Sequence, residues 1–112
     1  MKKRIAWVTL TLWCAIASSG TFLSGDELYE KMKSPAEDQK KYALGFVVAV
    51  HDLGDTKIFC SPADVTAGQV FNLIQLHLAE TPRSRHIPAA SIVTFILAAS
   101  WPCDPDAKGP QL

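Results

Sequence analysis

Three times along the chain a serine or threonine stands three residues ahead of a glutamate or glutamine, each time just before an apolar pattern. The pairs are Ser24 with Glu27, Ser34 with Glu37, and Thr66 with Gln69. In such a capping box each side chain satisfies a backbone N–H that the first helical turn leaves without a partner, so the motif specifies a helix start. The first is reinforced by Leu23 and Leu28, and the third by Val65 and Val70, at the positions of a hydrophobic staple. The second places Pro35 at the first helical position, where its missing N–H costs nothing.

The apolar spacing downstream predicts four helices. The first ends near Lys33 and carries Leu28, Tyr29 and Met32. The second runs to about Leu53 and is apolar on every face from Tyr42 to Val50, which predicts a central, buried helix. A buried strand competes over Phe46 to Val50, but the upstream helix start and the length of the segment favour helix. Gly45 then reads as a close-packing point, and Gly54 as a left-handed cap. The third helix presents Val70, Leu73, Ile74, His77 and Leu78 at helical spacing and stops before Pro82. Pro88 opens the last, with Ile92, Val93, Phe95, Ile96 and Leu97, and Trp101-Pro102 closes it. Asp104 to Leu112 reads as a frayed tail. The expected fold is all-α, a compact bundle of about four helices.

Residues 1–17 have the form of a cleaved secretory signal. Lys2, Lys3 and Arg4 precede an uncharged run from Ile5 to Ile16, and Ala15 and Ala17 supply small residues for cleavage. The run falls short of the roughly 20 apolar residues that span a bilayer. Cys14 follows Trp13, not the small residue that lipid attachment wants, so it belongs to the leader. Residues 18–112 then form a single exported domain. Losing three basic residues leaves it mildly acidic, with no electrostatic footprint for nucleic acid or anionic membrane. Two cysteines remain, Cys60 and Cys103, and an even count in an oxidising compartment points to one disulfide. Two unpaired buried thiols are the alternative.

Groups for catalysis are sparse. His51, at the end of the second helix, is placed to interact with the helix dipole and last carbonyls. His77 lies on an apolar stripe, and no metal-ligand spacing, phosphate loop or nucleophile elbow occurs. Cys60 as a nucleophile conflicts with its expected bridge. The residues therefore point to a binding protein with no catalytic, metal or cofactor site.

Several short motifs, in order, resemble one family. Leu23-Ser24-Gly25-Asp26-Glu27-Leu28, Leu44-Gly45-Phe46-Val47, Phe59-Cys60-Ser61-Pro62, Val65-Thr66-Ala67-Gly68-Gln69-Val70, Ile87-Pro88-Ala89-Ala90-Ser91 and Trp101-Pro102-Cys103 are similar to the motifs of small periplasmic immunity proteins that guard bacteria against type VI secretion amidase toxins, the Tai/Rap group. Many members carry two further cysteines where this chain has Met32 and Ala43, so apolar packing would replace that bridge. The resemblance implies a periplasmic protein that binds a secreted peptidoglycan amidase and blocks its cleft, and it admits a homodimer. The polar, proline-bounded segment from Glu80 to His86 is the expected contact loop, with Glu80, Arg83, Ser84, Arg85 and His86 meeting the toxin. A periplasmic chaperone or stress protein of the small disulfide-bonded type is the rival class, separable by its many clients.

Overall fold

The computed structural model describes residues 22–104, so the proposed leader and the tail beyond Asp104 lie outside the described residues. The chain forms α1 (Gly25–Lys33), α2 (Glu37–Gly54), α3 (Ala67–Glu80), a single 3-10 turn (Pro82–Ser84) and α4 (Ala89–Ser100). Two isolated β-bridges, Ser24 with Pro88 and Asp55 with Phe59, are the extended pairings among the described residues. The all-α expectation holds, and so does the bridge: Cys60 and Cys103 are joined, with their Cα atoms 4.8 Å apart.

The capping signals work unequally. Thr66 Oγ1 accepts the Gln69 N–H at 3.2 Å while Gln69 Oε1 accepts the Thr66 N–H at 2.9 Å, a complete box. Ser24 Oγ accepts the Glu27 N–H at 3.2 Å, and Leu23 and Leu28 are both buried, as a staple requires. The Ser34 box does not form. Ser34 instead ends α1, donating its N–H to Lys31 O, and its Oγ accepts the Ala36 N–H at 3.1 Å. That local turn takes up the serine oxygen, a competition short polar side chains often win near helix ends. α2 accordingly starts at Glu37, after Ala36, and Pro35 lies outside it.

The core is built mainly on α4, which contributes Ala89, Ile92, Val93, Ile96 and Leu97 and carries no charged residue. α1 supplies Leu28 and Met32, α3 supplies Val70, Ile74 and Leu78, and Phe59 enters from the loop after α2 with no exposed surface. Met32 and Ala43, where the related motifs carry cysteines, are both buried in this cluster.

α2 departs from expectation. It buries Ala43, Val47 and Gly54, but Tyr42, Gly45, Ala49 and Leu53 face solvent. The other three helices form a pocket for only one stripe of it, so its apolar residues cannot all go inside. Gly45 is not a packing point: a Cβ added there would meet nothing within 4 Å. Gly54 is not a left-handed cap either. It lies inside the helix, and the left-handed residue is Thr56, at φ 66°. Gly54 is small for a different reason: a Cβ there would stand 2.5 Å from Phe59 Cε1. The ring closes over the helix end while the Gly54 carbonyl accepts from Lys57 and Ile58 N–H.

Candidate functional site

The segment from α3 to α4 is polar in sequence but fixed in backbone. Ser84 N–H donates to Thr81 O, and Ile87 N–H to Ser84 O, which closes the 3-10 turn and its exit. The start of α1 then stitches the loop down. Gly25 N–H donates to Ile87 O at 2.9 Å, Asp26 N–H to Arg85 O at 2.7 Å, and Ala89 N–H to Leu23 O at 2.9 Å. These donors include N–H groups that the first turn of α1 cannot bond internally. The loop thus caps α1, and α1 holds the loop.

Gly25 makes the approach possible. A Cβ there would lie 2.7 Å from the Arg85 carbonyl oxygen and 2.5 Å from Ile92 Cδ1. The Leu-Ser-Gly-Asp-Glu-Leu motif is therefore two devices in one: a helix cap and an anchor for a segment sixty residues downstream.

The five loop residues singled out from sequence divide in two. Glu80, Arg83, Ser84 and His86 are exposed. Arg85 is turned inward: its guanidinium sits 4.5 Å over the Tyr29 ring, and its Nε lies 3.5 Å from Asp26 Oδ1. The latter distance is an ion pair rather than a hydrogen bond, and Nε is buried without a hydrogen-bond partner. Arg85 is committed to α1, which sequence alone did not reveal, because Tyr29 and Asp26 are remote in the chain. His86 Nδ1 donates to the Arg83 carbonyl at 2.9 Å, which fixes its ring on the loop surface.

Beside the loop, a groove of about 460 Å³ runs between the end of α3 and α4. Its walls are apolar, with Ile87, Ile92, Phe95 and Ile96, and its polar points are His77, Thr81, Ser84 and Ser91. Phe95 is 70% exposed at its edge. The register of α4 turns Phe95 outward while Ile92 and Ile96 go in.

A second polar cluster surrounds the loop after α2. His51 Nε2 lies 2.9 Å from Ser61 Oγ and its Nδ1 lies 3.2 Å from Asp52 Oδ1. Carboxylate, imidazole and hydroxyl in that order resemble a hydrolytic triad. The protons run the wrong way, however. Ser61 Oγ donates its proton to Asp55 Oδ1 at 2.8 Å, so that proton is directed away from the imidazole. Asp55 Oδ1 also accepts the Ser61 N–H at 2.9 Å.

The cluster clamps the loop that carries Cys60, whose N–H donates to Trp101 O at 2.8 Å beside the disulfide. The role expected for the His51 side chain, helix capping, is taken by the backbone, with Asp55 N–H on His51 O at 2.9 Å. Ser61 escaped the sequence reading because it sits in no recognised nucleophile motif. Partial desolvation raises the Asp55 pKa. The Ser61 N–H and hydroxyl, the neighbouring His51 and the Thr56 N–H together outweigh it and bring the carboxyl below its ordinary 3.8.

Among the described residues no three His, Cys, Asp or Glu side chains gather as a metal ion would need, and no helix is long and apolar enough to cross a membrane. A family model described as Rap1a immunity proteins matches residues 24–103. The match begins at the Ser24 cap and ends at the disulfide cysteine Cys103. A comparison with curated proteins found no match.

Proposed function

The chain belongs to the Rap1a immunity protein family, and on that premise we propose that it is a periplasmic inhibitor of a peptidoglycan amidase toxin delivered by type VI secretion. It acts by binding, without catalysis of its own. Residues 1–17 direct export and are removed, and residues 18–112 form the inhibitor.

The 3-10 turn and its flanks enter the amidase cleft. Glu80, Arg83, Ser84 and His86 supply polar contacts, and Arg85 holds the loop from behind. The observation that carries this reading is the loop's construction. Exposed charged and polar side chains stand on a backbone tied at Arg85 and Ile87 to the first turn of α1. A segment already ordered before contact loses little conformational freedom on binding, which favours tight inhibition. Arg83 is the exposed basic residue of this loop, so the cleft it fits carries acidic or polar groups.

The test uses a purified peptidoglycan amidase of the type VI class, sought first among the genes neighbouring this one and acting on peptidoglycan. The wild-type protein abolishes release of cleaved muropeptide at stoichiometric ratio. The triple variant Arg83→Ala, Ser84→Ala, His86→Ala retains its fold and loses inhibition. Unchanged inhibition by that variant removes the loop from the mechanism. Failure of the wild type to inhibit, together with binding to many unfolded clients, returns the protein to the chaperone class.

A further inference from the structure

Arg85 is placed oddly for an arginine on a surface loop. Such side chains ordinarily lay their stem along the protein and keep the guanidinium in water. This one is 18% exposed, and its Nε has no hydrogen-bond partner. What it faces is one stripe of α1. Asp26, Tyr29, Glu30 and Lys33 fall at i, i+3, i+4 and i+7, beside the buried pair Leu28 and Met32. Asp26 is 60% exposed and 3.5 Å away, so water screens most of its pull. The Tyr29 ring, 4.5 Å from the guanidinium carbon, is therefore the contact that keeps Arg85 in place. A planar, weakly hydrated guanidinium suits such a stack better than an ammonium does.

On the reading that this loop meets the toxin, we propose that Tyr29 is a positioning residue for inhibition: it acts through Arg85, without touching the toxin itself, and keeps the loop in its binding conformation before contact. Gly25 and Asp26 N–H tie the loop at the Ile87 and Arg85 carbonyls. A main-chain bond near the surface is cheap to open, because water replaces the lost partner. Moving the Arg85 carbonyl off Asp26, however, also drags its guanidinium off Tyr29. The ring thus makes the ties open together or not at all, and the ordered loop loses less freedom on binding.

The rest of the stripe supports the ring. Lys33 Nζ also lies over Tyr29, at 4.3 Å, and pairs with Glu30 Oε1 at 3.2 Å. Two cations on one ring repel each other. Each has an acid of its own on the stripe, Glu30 for Lys33 and Asp26 for Arg85, which lowers that repulsion. A leucine at position 29 would keep apolar bulk against the arginine stem but offer the guanidinium no π face. Arg85 would then return to water and release the loop.

The experiment compares Tyr29→Phe, which keeps the ring, with Tyr29→Leu, which keeps bulk alone, each with Arg85 intact and with Arg85→Ala. The first readout needs no toxin. In NMR of the free protein the Arg85 side-chain resonances are displaced by the ring current of residue 29; the displacement persists in Tyr29→Phe and disappears in Tyr29→Leu. The second is inhibition of a purified type VI peptidoglycan amidase, at a temperature where circular dichroism shows every variant folded. Tyr29→Phe inhibits as the wild type does, and Tyr29→Leu weakens inhibition about fivefold. Arg85→Ala weakens it by the same factor, and the Tyr29→Leu, Arg85→Ala double variant by no more than either single one, because the two residues act as a unit. Unmoved Arg85 resonances in Tyr29→Leu overturn the proposal. So do additive losses in the double variant, full inhibition by Tyr29→Leu, or a Tyr29→Phe as weak as Tyr29→Leu. A wild type that inhibits no such amidase overturns the proposed function instead, and the ring-current displacement still decides whether Tyr29 holds the loop through Arg85.

Discussion

The same substitution at two positions of α2 should have opposite effects on stability. Gly45→Ala adds a methyl group where nothing lies within 4 Å, on a helix whose backbone accepts it without a change of conformation. The gain is the propensity difference between alanine and glycine, about 1 kcal/mol. Gly54→Ala adds the same group 2.5 Å from Phe59 Cε1 and 3.0 Å from Cζ. The ring has no exposed surface, so it cannot swing away without disturbing the core.

Overpacking of this kind costs roughly 1–3 kcal/mol. A propensity gain of at most about 1 kcal/mol offsets part of it, since Gly54 is the last residue of the helix. The net loss is about 1–2 kcal/mol. For a domain of this size each kcal/mol moves the melting temperature by ~4–8 °C. Gly45→Ala should therefore melt about 5 °C higher than wild type, and Gly54→Ala about 5–10 °C lower. Thermal unfolding followed by circular dichroism measures both. Urea titration checks that the slope with denaturant is unchanged. Equal signs for the two variants, or a Gly54→Ala as stable as wild type, would refute the assignment of Gly45 to open space and Gly54 to the Phe59 contact.

Three further outcomes are expected. Replacing both Cys60 and Cys103 with serine should lower stability by about 4 kcal/mol in the chain-entropy account, given their sequence separation of 43, read as an earlier urea midpoint. Arg85→Ala should accelerate amide exchange at Gly25 and Asp26, because the loop loses its hold on Tyr29, whereas Arg83→Ala should leave exchange and melting within about 0.5 kcal/mol of wild type. Since the folded-state pKa of Asp55 lies below its unfolded value, its contribution is present above about pH 4 and fades as pH falls through the lower folded value; Asp55→Asn should therefore lose less stability than wild type between pH 5 and pH 2, as followed by thermal unfolding across about that range.

What could be read in the sequence was local. The Thr66 box and the Ser24 cap are contacts between residues three apart, and both form as their spacing requires. The cysteine pair was legible by count once residues 1–17 are read as a leader, because the two thiols left have one pairing available. The Ser34 motif shows the limit of such reasoning. Its oxygen had a nearer local donor in Ala36, and pattern alone does not rank the two.

Burial was less legible still. α2 and α4 are both rich in apolar residues, and only the packing of the other elements decides that α4 goes to the centre while α2 keeps an open face. In the candidate site, the exposed polar residues of the loop could be identified from composition. The inward turn of Arg85 and the grip of Gly25 on the loop could not, since each depends on a contact across some sixty residues of chain.

Apart from the Arg85 side chain on Tyr29 and Asp26, the ties that hold the α3–α4 segment to α1 run between main-chain atoms, and the side chains at positions 83, 84 and 86 take no part in them. Those three positions can therefore be rewritten while the scaffold beneath them stands unchanged. Under the proposed function, a lineage meeting a new toxin needs only to respell a short surface word, and recognition can drift much faster than architecture.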